Sequence, residues 1–221
     1  MGQKINPISN RISVNPDWES KWFASSSNYK KYLVDDFKIR DFVKEKLNTA
    51  GVRRVEIIRS RDRLMIQIVT SKPGLVIGRG GQGINQLKDE IQKTFYPQNL
   101  PVVRLEIVED RHPELSATLV AQNIGSQIER RIPYRRACKQ ALEKTMAEKE
   151  AQGIKIIISG RLNGAEIARD EKFQMGSIPL SRYKFDIDFS VYHARTTYGV
   201  IGVKVWVNRG EFTDRIQEEQ K

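Results

Sequence analysis

The segment LVIGRGGQGI, residues 75–84, has the residue types best suited to binding chemistry, because four of its ten residues are glycines. Gly78, Gly80 and Gly83 fit the G-x-G-x-x-G pattern with which dinucleotide-binding proteins hold a pyrophosphate. The shorter stretch Gly78–Gly81 fits G-x-x-G, a loop that grips the backbone of an RNA strand. A glycine-rich turn without a ligand is the third alternative.

The flanking residues favour RNA over a dinucleotide. In a dinucleotide-binding fold the first glycine directly follows a buried strand, whereas Pro73 and Gly74 interrupt this chain shortly before the loop. Without a Cβ in the way, a phosphate can approach peptide N–H groups closely, and the dipole of a following helix attracts it. The predicted RNA-binding residues of the loop are Gly78, Arg79, Gly80 and Gly81.

Catalytic and metal-binding residue sets have little support in the sequence. A single cysteine, Cys138, excludes an internal disulfide, and with only two histidines an ordinary zinc site would lack ligands. Cys138 falls on the apolar face of a predicted helix, and neither histidine has a partner for nucleophilic catalysis. Ile84 follows Gly83 where an ATP-binding P-loop needs lysine. We therefore predict no enzyme activity, no cofactor and no metal.

The composition predicts a polyanionic partner. The chain of 221 residues carries a net charge of +11 and has a pI of about 9.8. A hydrophobic content of 39% is enough for packed cores, so the basic residues should cover a folded surface. No apolar run approaches the roughly 20 residues that span a membrane, and residues 1–10 lack the apolar region of a signal peptide. We expect a cytosolic or organelle-internal protein without a membrane partner.

Hydrophobic periodicity in the first half predicts a compact α+β unit that places the glycine loop between two short helices. Apolar residues at helical spacing predict the helices, and β-branched runs around a polar turn predict a hairpin. The predicted elements are helix Asp36–Leu47, strands Val52–Ile58 and Leu64–Val69, a short apolar turn at Leu75–Ile77, helix Gln82–Phe95 and strand Val102–Val108.

The second half predicts helices packed against a sheet, after a boundary near Asp110–Pro113. A proline at position 133 separates the two predicted helices. The predicted elements are helices Leu115–Ile132 and Tyr134–Glu150, strand Ile154–Ser159, a broken region at Ala165–Phe173, and strands Tyr183–Tyr192 and Gly199–Val207.

The second of these helices is predicted to have one packing face and one cationic face. Arg135, Arg136 and Lys139 lie within about 100° of its circumference. The opposite stripe is formed by Tyr134, Ala137, Cys138 and Ala141. Arg130 and Arg131, just before Pro133, enlarge the basic patch, and their planar guanidinium groups suit phosphate contacts. A solvated basic face without a ligand is the alternative.

The order strand, helix, G-x-x-G, helix, strand looks like a KH domain of the second topological type. Four further segments, in order along the chain, resemble the bacterial-type ribosomal protein S-three family: Met1–Pro7 (MGQKINP), Gln127–Lys139 (QIERRIPYRRACK), Ser159–Arg169 (SGRLNGAEIAR) and Thr197–Trp206 (TYGVIGVKVW). Together with the KH loop they span nearly the whole chain, which makes the match specific.

The resemblance implies an α+β protein with an N-terminal type II KH domain. A C-terminal domain of two helices packed on a mostly antiparallel β-sheet would follow it. The implied divisions are an N-terminal arm 1–35, a KH domain 36–110, a C-terminal domain 111–210 and a tail 211–221.

The resemblance also implies a structural constituent of the head of the small ribosomal subunit, located in the cytoplasm of a bacterium or in an organelle. Such a protein binds rRNA and lines the mRNA entrance, where basic residues grip incoming mRNA and support its unwinding. Its neighbours would be ribosomal proteins S-four, S-five, S-ten and S-fourteen. The family's message-gripping residues match Arg135, Arg136 and Lys139, beside Arg130 and Arg131. Candidate rRNA contacts are Lys4, Arg11, Arg161 and Arg169.

Some positions depart from the family pattern. Asn10 and Ser13 stand where glycines are usual, and residues 170–177 lack a tryptophan and one arginine. A KH protein of RNA processing or transcription, without permanent residence in the ribosome, is the alternative function.

Overall fold

A computed structural model describes residues 4–12, 14, 18–60, 63–96 and 101–212. The chain forms two compact units, one of Asp17–Arg111 and one of Met1–Pro16 together with His112–Lys221. The predicted arm 1–35 is therefore divided between the two units. Residues 1–16 group with the C-terminal residues, whereas residues 26–35 belong to a helix of the unit Asp17–Arg111. Most of the predicted tail 211–221, from 213 onward, lies outside the described residues.

Six α-helices and eight strands are present in the described residues. The helices are α1 (Pro7–Arg11), α2 (Ser26–Lys46), α3 (Pro73–Ile77), α4 (Gln82–Phe95), α5 (Ala117–Glu129) and α6 (Tyr134–Ala147). The strands are β1 (Ser20–Lys21), β2 (Val52–Arg59), β3 (Arg63–Thr70), β4 (Val102–Glu109), β5 (Gly153–Gly160), β6 (Arg169–Gly176), β7 (Phe185–Thr196) and β8 (Gly199–Glu211). No helix in this part of the chain has the length and apolar character needed to cross a membrane.

The unit Asp17–Arg111 contains a sheet with the strand order β1-β2-β3-β4. β2 and β3 are antiparallel, as the predicted hairpin requires, and β3 and β4 are parallel because α3 and α4 form the crossover between them. Apolar side chains of α2, α4 and the central strands form its core, including Ile39, Ile57, Ile66 and Ile91. The predicted α+β order, with the glycine loop between two helices, is confirmed.

Helix α2 is ten residues longer at its N-terminus than the predicted helix Asp36–Leu47. Its first half contains no proline or glycine, so nothing stops the helix from extending to Ser26. Most of the added residues are exposed, including Tyr29 and Leu33. They carry no buried apolar stripe, and the periodicity on which the prediction depends is therefore missing there.

The other unit contains an antiparallel sheet with the strand order β6-β5-β8-β7. Helices α5 and α6 cover one face of this sheet, and their buried side chains meet those of β5 and β8. Ile124, Ala137, Ile156 and Val205 lie in this core. The prediction of two helices on a mostly antiparallel sheet is confirmed.

Strand β6 corrects the predicted broken region Ala165–Phe173. It is an edge strand that pairs with β5, and six of its eight residues are polar, charged or glycine; the exceptions are Phe173 and Met175. Six of the eight are exposed. An edge strand with so little burial lacks the alternating apolar pattern that reveals a strand in sequence.

Candidate nucleic-acid interface

The glycines of the KH loop meet two different requirements. Gly78, Gly80 and Gly81 have φ angles of +69°, +60° and +77°, a region in which side chains with a Cβ are strained. A Cβ on Gly83 would lie 2.6 Å from the carbonyl oxygen of Val76, so glycine there permits the close approach of α3 and α4. The inner glycine is therefore required by packing and the outer ones by backbone conformation.

The outer half of the loop is open to a ligand. A Cβ at Gly80 or Gly81 would meet no atom within 4 Å, so the backbone at these positions faces empty space. The side chain of Arg79 is exposed, and the loop leads directly into the N-terminus of the 14-residue helix α4. An open glycine backbone, a helix N-terminus and a guanidinium group together suit a phosphate.

The structure disfavours the dinucleotide alternative. In the G-x-G-x-x-G fold the loop comes directly from the end of a buried strand. Here β3 ends at Thr70, and the whole of α3 stands between that residue and Gly78. Leu75 and Ile77 of α3 are exposed beside the loop, whereas Val76 is buried in the unit.

Helix α6 separates a buried face from a cationic face. Its buried residues are Tyr134, Ala137, Cys138, Ala141, Leu142 and Thr145. Arg135, Arg136 and Lys139 are all exposed on the other side, as are Arg130 and Arg131 before the helix. In addition to Arg135, this edge of the unit thus exposes three arginines and one lysine to solvent.

The turn between α5 and α6 is closed by a hydrogen-bond pattern typical of a helix C-terminus. The N–H of Ile132 donates to the carbonyl of Gln127, and the N–H of Arg131 donates to that of Ile128. Arg131 has a φ angle of +64°, a conformation that usually calls for glycine at this position. Arg131 is therefore an exposed arginine at a backbone position that favours glycine.

Arg135 is anchored by a carboxylate on β6. Its Nη2 and Nε donate to Glu171 at 3.0 and 3.3 Å, and the hydroxyl of Tyr134 donates to the same carboxylate at 2.7 Å. Arg169 Nη2 lies 3.6 Å from a Glu171 oxygen. The hydrogen bonds from Arg135, followed by the one from Tyr134, lower the pKa of Glu171, and the pairing with Glu171 raises the pKa of Arg135.

Arg161 and Lys4 remain at the surface. Arg161 Nε donates to the carbonyl of Ala165 at 2.9 Å, and its guanidinium carbon lies 5.9 Å from the ring centre of Tyr198. Lys4 is exposed and close to Lys155, whose pKa is lowered first by burial and then by the charge of Lys4. The positions of Arg161, Arg169 and Lys4 leave each of them accessible to an RNA phosphate.

Arg11 does not occupy the position expected of an rRNA contact. Only 3% of the residue is exposed, and burial lowers the pKa of its guanidinium. The group donates to the backbone carbonyls of Pro7, Leu180, Arg182 and Phe185 at 2.9 to 3.1 Å. Its donors are used within the protein, so Arg11 ties α1 to β7 and the segment before it. This corrects the expectation that Arg11 contacts RNA.

Cys138 lies in the core, where its thiol is unreactive. Burial raises the pKa of its thiol to about 12, so the thiolate is absent at neutral pH. Among the described residues, no group of three or more histidine, cysteine, aspartate or glutamate side chains is placed to hold a metal ion.

Sequence reasoning missed Glu171 as part of the basic site. Glu171 is 36 positions from Arg135 in the chain, and the strand that carries it was not predicted. The only available signal was the position of Glu171 two residues after Arg169 in the same segment. Alternation in a strand places residues two apart on one face, which brings both side chains towards α6.

Comparisons with known proteins match both units. A family model described as a KH domain matches residues 38–115, and one described as "Ribosomal protein S3, C-terminal domain" matches residues 124–207. The small ribosomal subunit protein uS3 of Caldanaerobacter subterraneus subsp. tengcongensis is 50% identical over 211 residues, which cover 96% of this chain and 93% of the relative. The proteins of the same name from Clostridium acetobutylicum and Clostridium novyi are 48% and 46% identical, over 100% of this chain and 99% of each relative.

Proposed function

Because the chain belongs to the ribosomal protein S3 family, we propose that it is a structural constituent of the small ribosomal subunit that binds rRNA and lines the mRNA entrance. The role at the mRNA entrance is supported by the cationic face of α6, which lies opposite the buried face of the same helix. Its basic residues grip incoming mRNA and support the unwinding of structured messages during translation.

The chemistry of the α6 face supports this role. Arg136 and Lys139 are exposed one helical turn apart, so their charges can follow successive phosphates of a single strand. Contacts to phosphates carry no sequence information, which suits a surface that must accept every message. Arg130 and Arg131 extend the same face towards α5.

The KH loop is proposed to hold a second RNA backbone, that of rRNA. The backbone at Gly80 and Gly81 leaves room for a phosphate, and Arg79 adds a positive charge beside it. Lys4, Arg161 and Arg169 are proposed as further rRNA contacts. The proposed protein neighbours are S-four, S-five, S-ten and S-fourteen.

Sedimentation separates this function from that of a KH protein of RNA processing or transcription. Tagged protein in a cell extract is washed at high salt and run on a sucrose gradient. Stoichiometric sedimentation with the small subunit supports ribosomal residence. Release of the protein to the top of the gradient would favour the alternative.

RNA titration tests the α6 face directly. We expect the Arg136→Ala, Lys139→Ala double variant to lower the slope of log affinity against log salt by about 1.4, since each phosphate contact on single strands contributes about 0.7. The Arg79→Asp variant tests the KH loop in the same assay. An unchanged slope in the double variant would remove α6 from the proposed function.

A further inference from the structure

Glu171 sits at the centre of a cluster that includes one of the proposed message-gripping arginines. Its carboxylate accepts hydrogen bonds from Tyr134 and from two nitrogens of Arg135, and it lies within ion-pair distance of Arg169. Tyr134 is almost fully buried, so the carboxylate is fixed from the protein side. The cluster therefore places one defined negative charge within the basic surface.

The exposures of the three charged groups differ. The side chain of Glu171 is 21% exposed, whereas those of Arg135 and Arg169 are 65% and 52% exposed. An incoming phosphate can reach both guanidinium groups, but both are already paired with the carboxylate of Glu171. In the described part of the chain, no ion pair joins Arg136 or Lys139 to a carboxylate. The charges of Arg136 and Lys139 are thus fully available to RNA, whereas the charge of Arg135 is partly neutralised by Glu171.

We propose that Glu171 is an internal counterion that limits how tightly the α6 face holds RNA. This inference rests on the proposed function of that face. A surface that guides a moving message must bind phosphate strongly enough to capture it and weakly enough to release it. Glu171 weakens the grip by neutralising Arg135 before RNA arrives and by repelling the phosphate that approaches.

The Glu171→Gln variant tests the proposal, because the amide keeps the shape of the side chain and an acceptor for Tyr134 but loses the charge. Binding of the full-length protein to a fluorescein-labelled oligouridylate is followed by anisotropy over a series of KCl concentrations. We expect binding to tighten about two- to fivefold. The salt slope should become steeper by up to about 0.7.

Asp170→Asn is the matched control. Asp170 is the neighbouring residue on β6, and its side chain is exposed on the opposite face of the sheet. The variant makes the same change in net charge away from Arg135, where salt screens its effect on α6. Its affinity should change less than that of Glu171→Gln at every salt concentration.

A double-mutant cycle with Arg135→Ala distinguishes a counterion from a purely structural residue. The gain from Glu171→Gln should shrink in the Arg135→Ala background, because the main charge that Glu171 neutralises is then absent and only its repulsion of phosphate and its pairing with Arg169 remain. Unchanged or weaker binding of Glu171→Gln would overturn the proposal, as would a gain of undiminished size in the Arg135→Ala background. If the Arg136→Ala, Lys139→Ala variant also leaves binding unchanged, the proposed function fails too. If that variant weakens binding, only the role of Glu171 is refuted.

Discussion

The guanidinium group of Arg59, at the end of β2, donates two hydrogen bonds to the carboxylate of Asp36 in α2, and both side chains are almost fully withdrawn from solvent. The other carboxylate oxygen accepts from Trp22 Nε1 at 2.7 Å and from Ser20 Oγ at 2.9 Å. A single buried carboxylate thus joins the helix, the sheet and the segment that precedes the helix.

Replacing Asp36 by alanine should strongly destabilise the unit Asp17–Arg111. The change leaves Arg59 buried without its ion-pair partner, which typically costs about 3–5 kcal/mol of unfolding free energy. Hydrogen exchange of backbone amides in each unit measures the loss and assigns it to one of them. Asp41→Ala, at an exposed position of the same helix, is the control and should change stability by less than about 0.5 kcal/mol. Equal effects of the two variants would contradict this account.

Replacing Arg11 by alanine should destabilise the other unit without changing the salt dependence of RNA binding. Several carbonyls lose their donor when the guanidinium is removed, and we expect a loss of about 2–4 kcal/mol. Urea unfolding measures the stability, and RNA titration of the folded protein measures the slope. A shallower slope with unchanged stability would restore Arg11 as an RNA contact.

Alanine at Gly83 and at Gly80 should affect the KH loop differently. A Cβ at Gly83 collides with the backbone of α3, so Gly83→Ala should cost about 2–4 kcal/mol. A Cβ at Gly80 meets only solvent, and the cost there is the backbone strain of about 1–2 kcal/mol. Thermal unfolding ranks the two variants. A larger loss for Gly80→Ala would mean that packing of α3 on α4 does not require the inner glycine.

The raised pKa of Cys138 predicts slow alkylation and a pH-dependent loss of stability. The folded protein keeps the thiol neutral up to a pKa of about 12, whereas an unfolded chain releases the proton above about pH 9. Stability should therefore fall as pH rises through this window, by up to about 1.4 kcal/mol per pH unit relative to Cys138→Ala. Iodoacetamide should modify Cys138 only after unfolding is induced. Rapid alkylation of the folded protein near neutral pH would contradict the buried position.

Sequence patterns predicted the elements with a strong apolar period and missed those without one. Helix α4 was predicted with its observed bounds, because Leu87 and Ile91 repeat at helical spacing and are buried. β6 and the first half of α2 expose most of their side chains, so no apolar period marks them. The burial of Arg11 could not be predicted either, since three of its four acceptors lie about 170 positions away and charge alone suggests a surface residue.

The rate of elongation through a structured message measures how firmly the α6 face holds incoming mRNA. Small subunits are reconstituted with the Arg135→Ala, Arg136→Ala, Lys139→Ala variant or with the unmodified protein, and elongation is timed on messages with and without a stable downstream hairpin. We predict that the variant slows elongation through the hairpin and leaves the unstructured message unaffected, because only the hairpin requires a firm grip on the incoming strand. Equal rates for both proteins on the hairpin message would contradict the proposed role of α6.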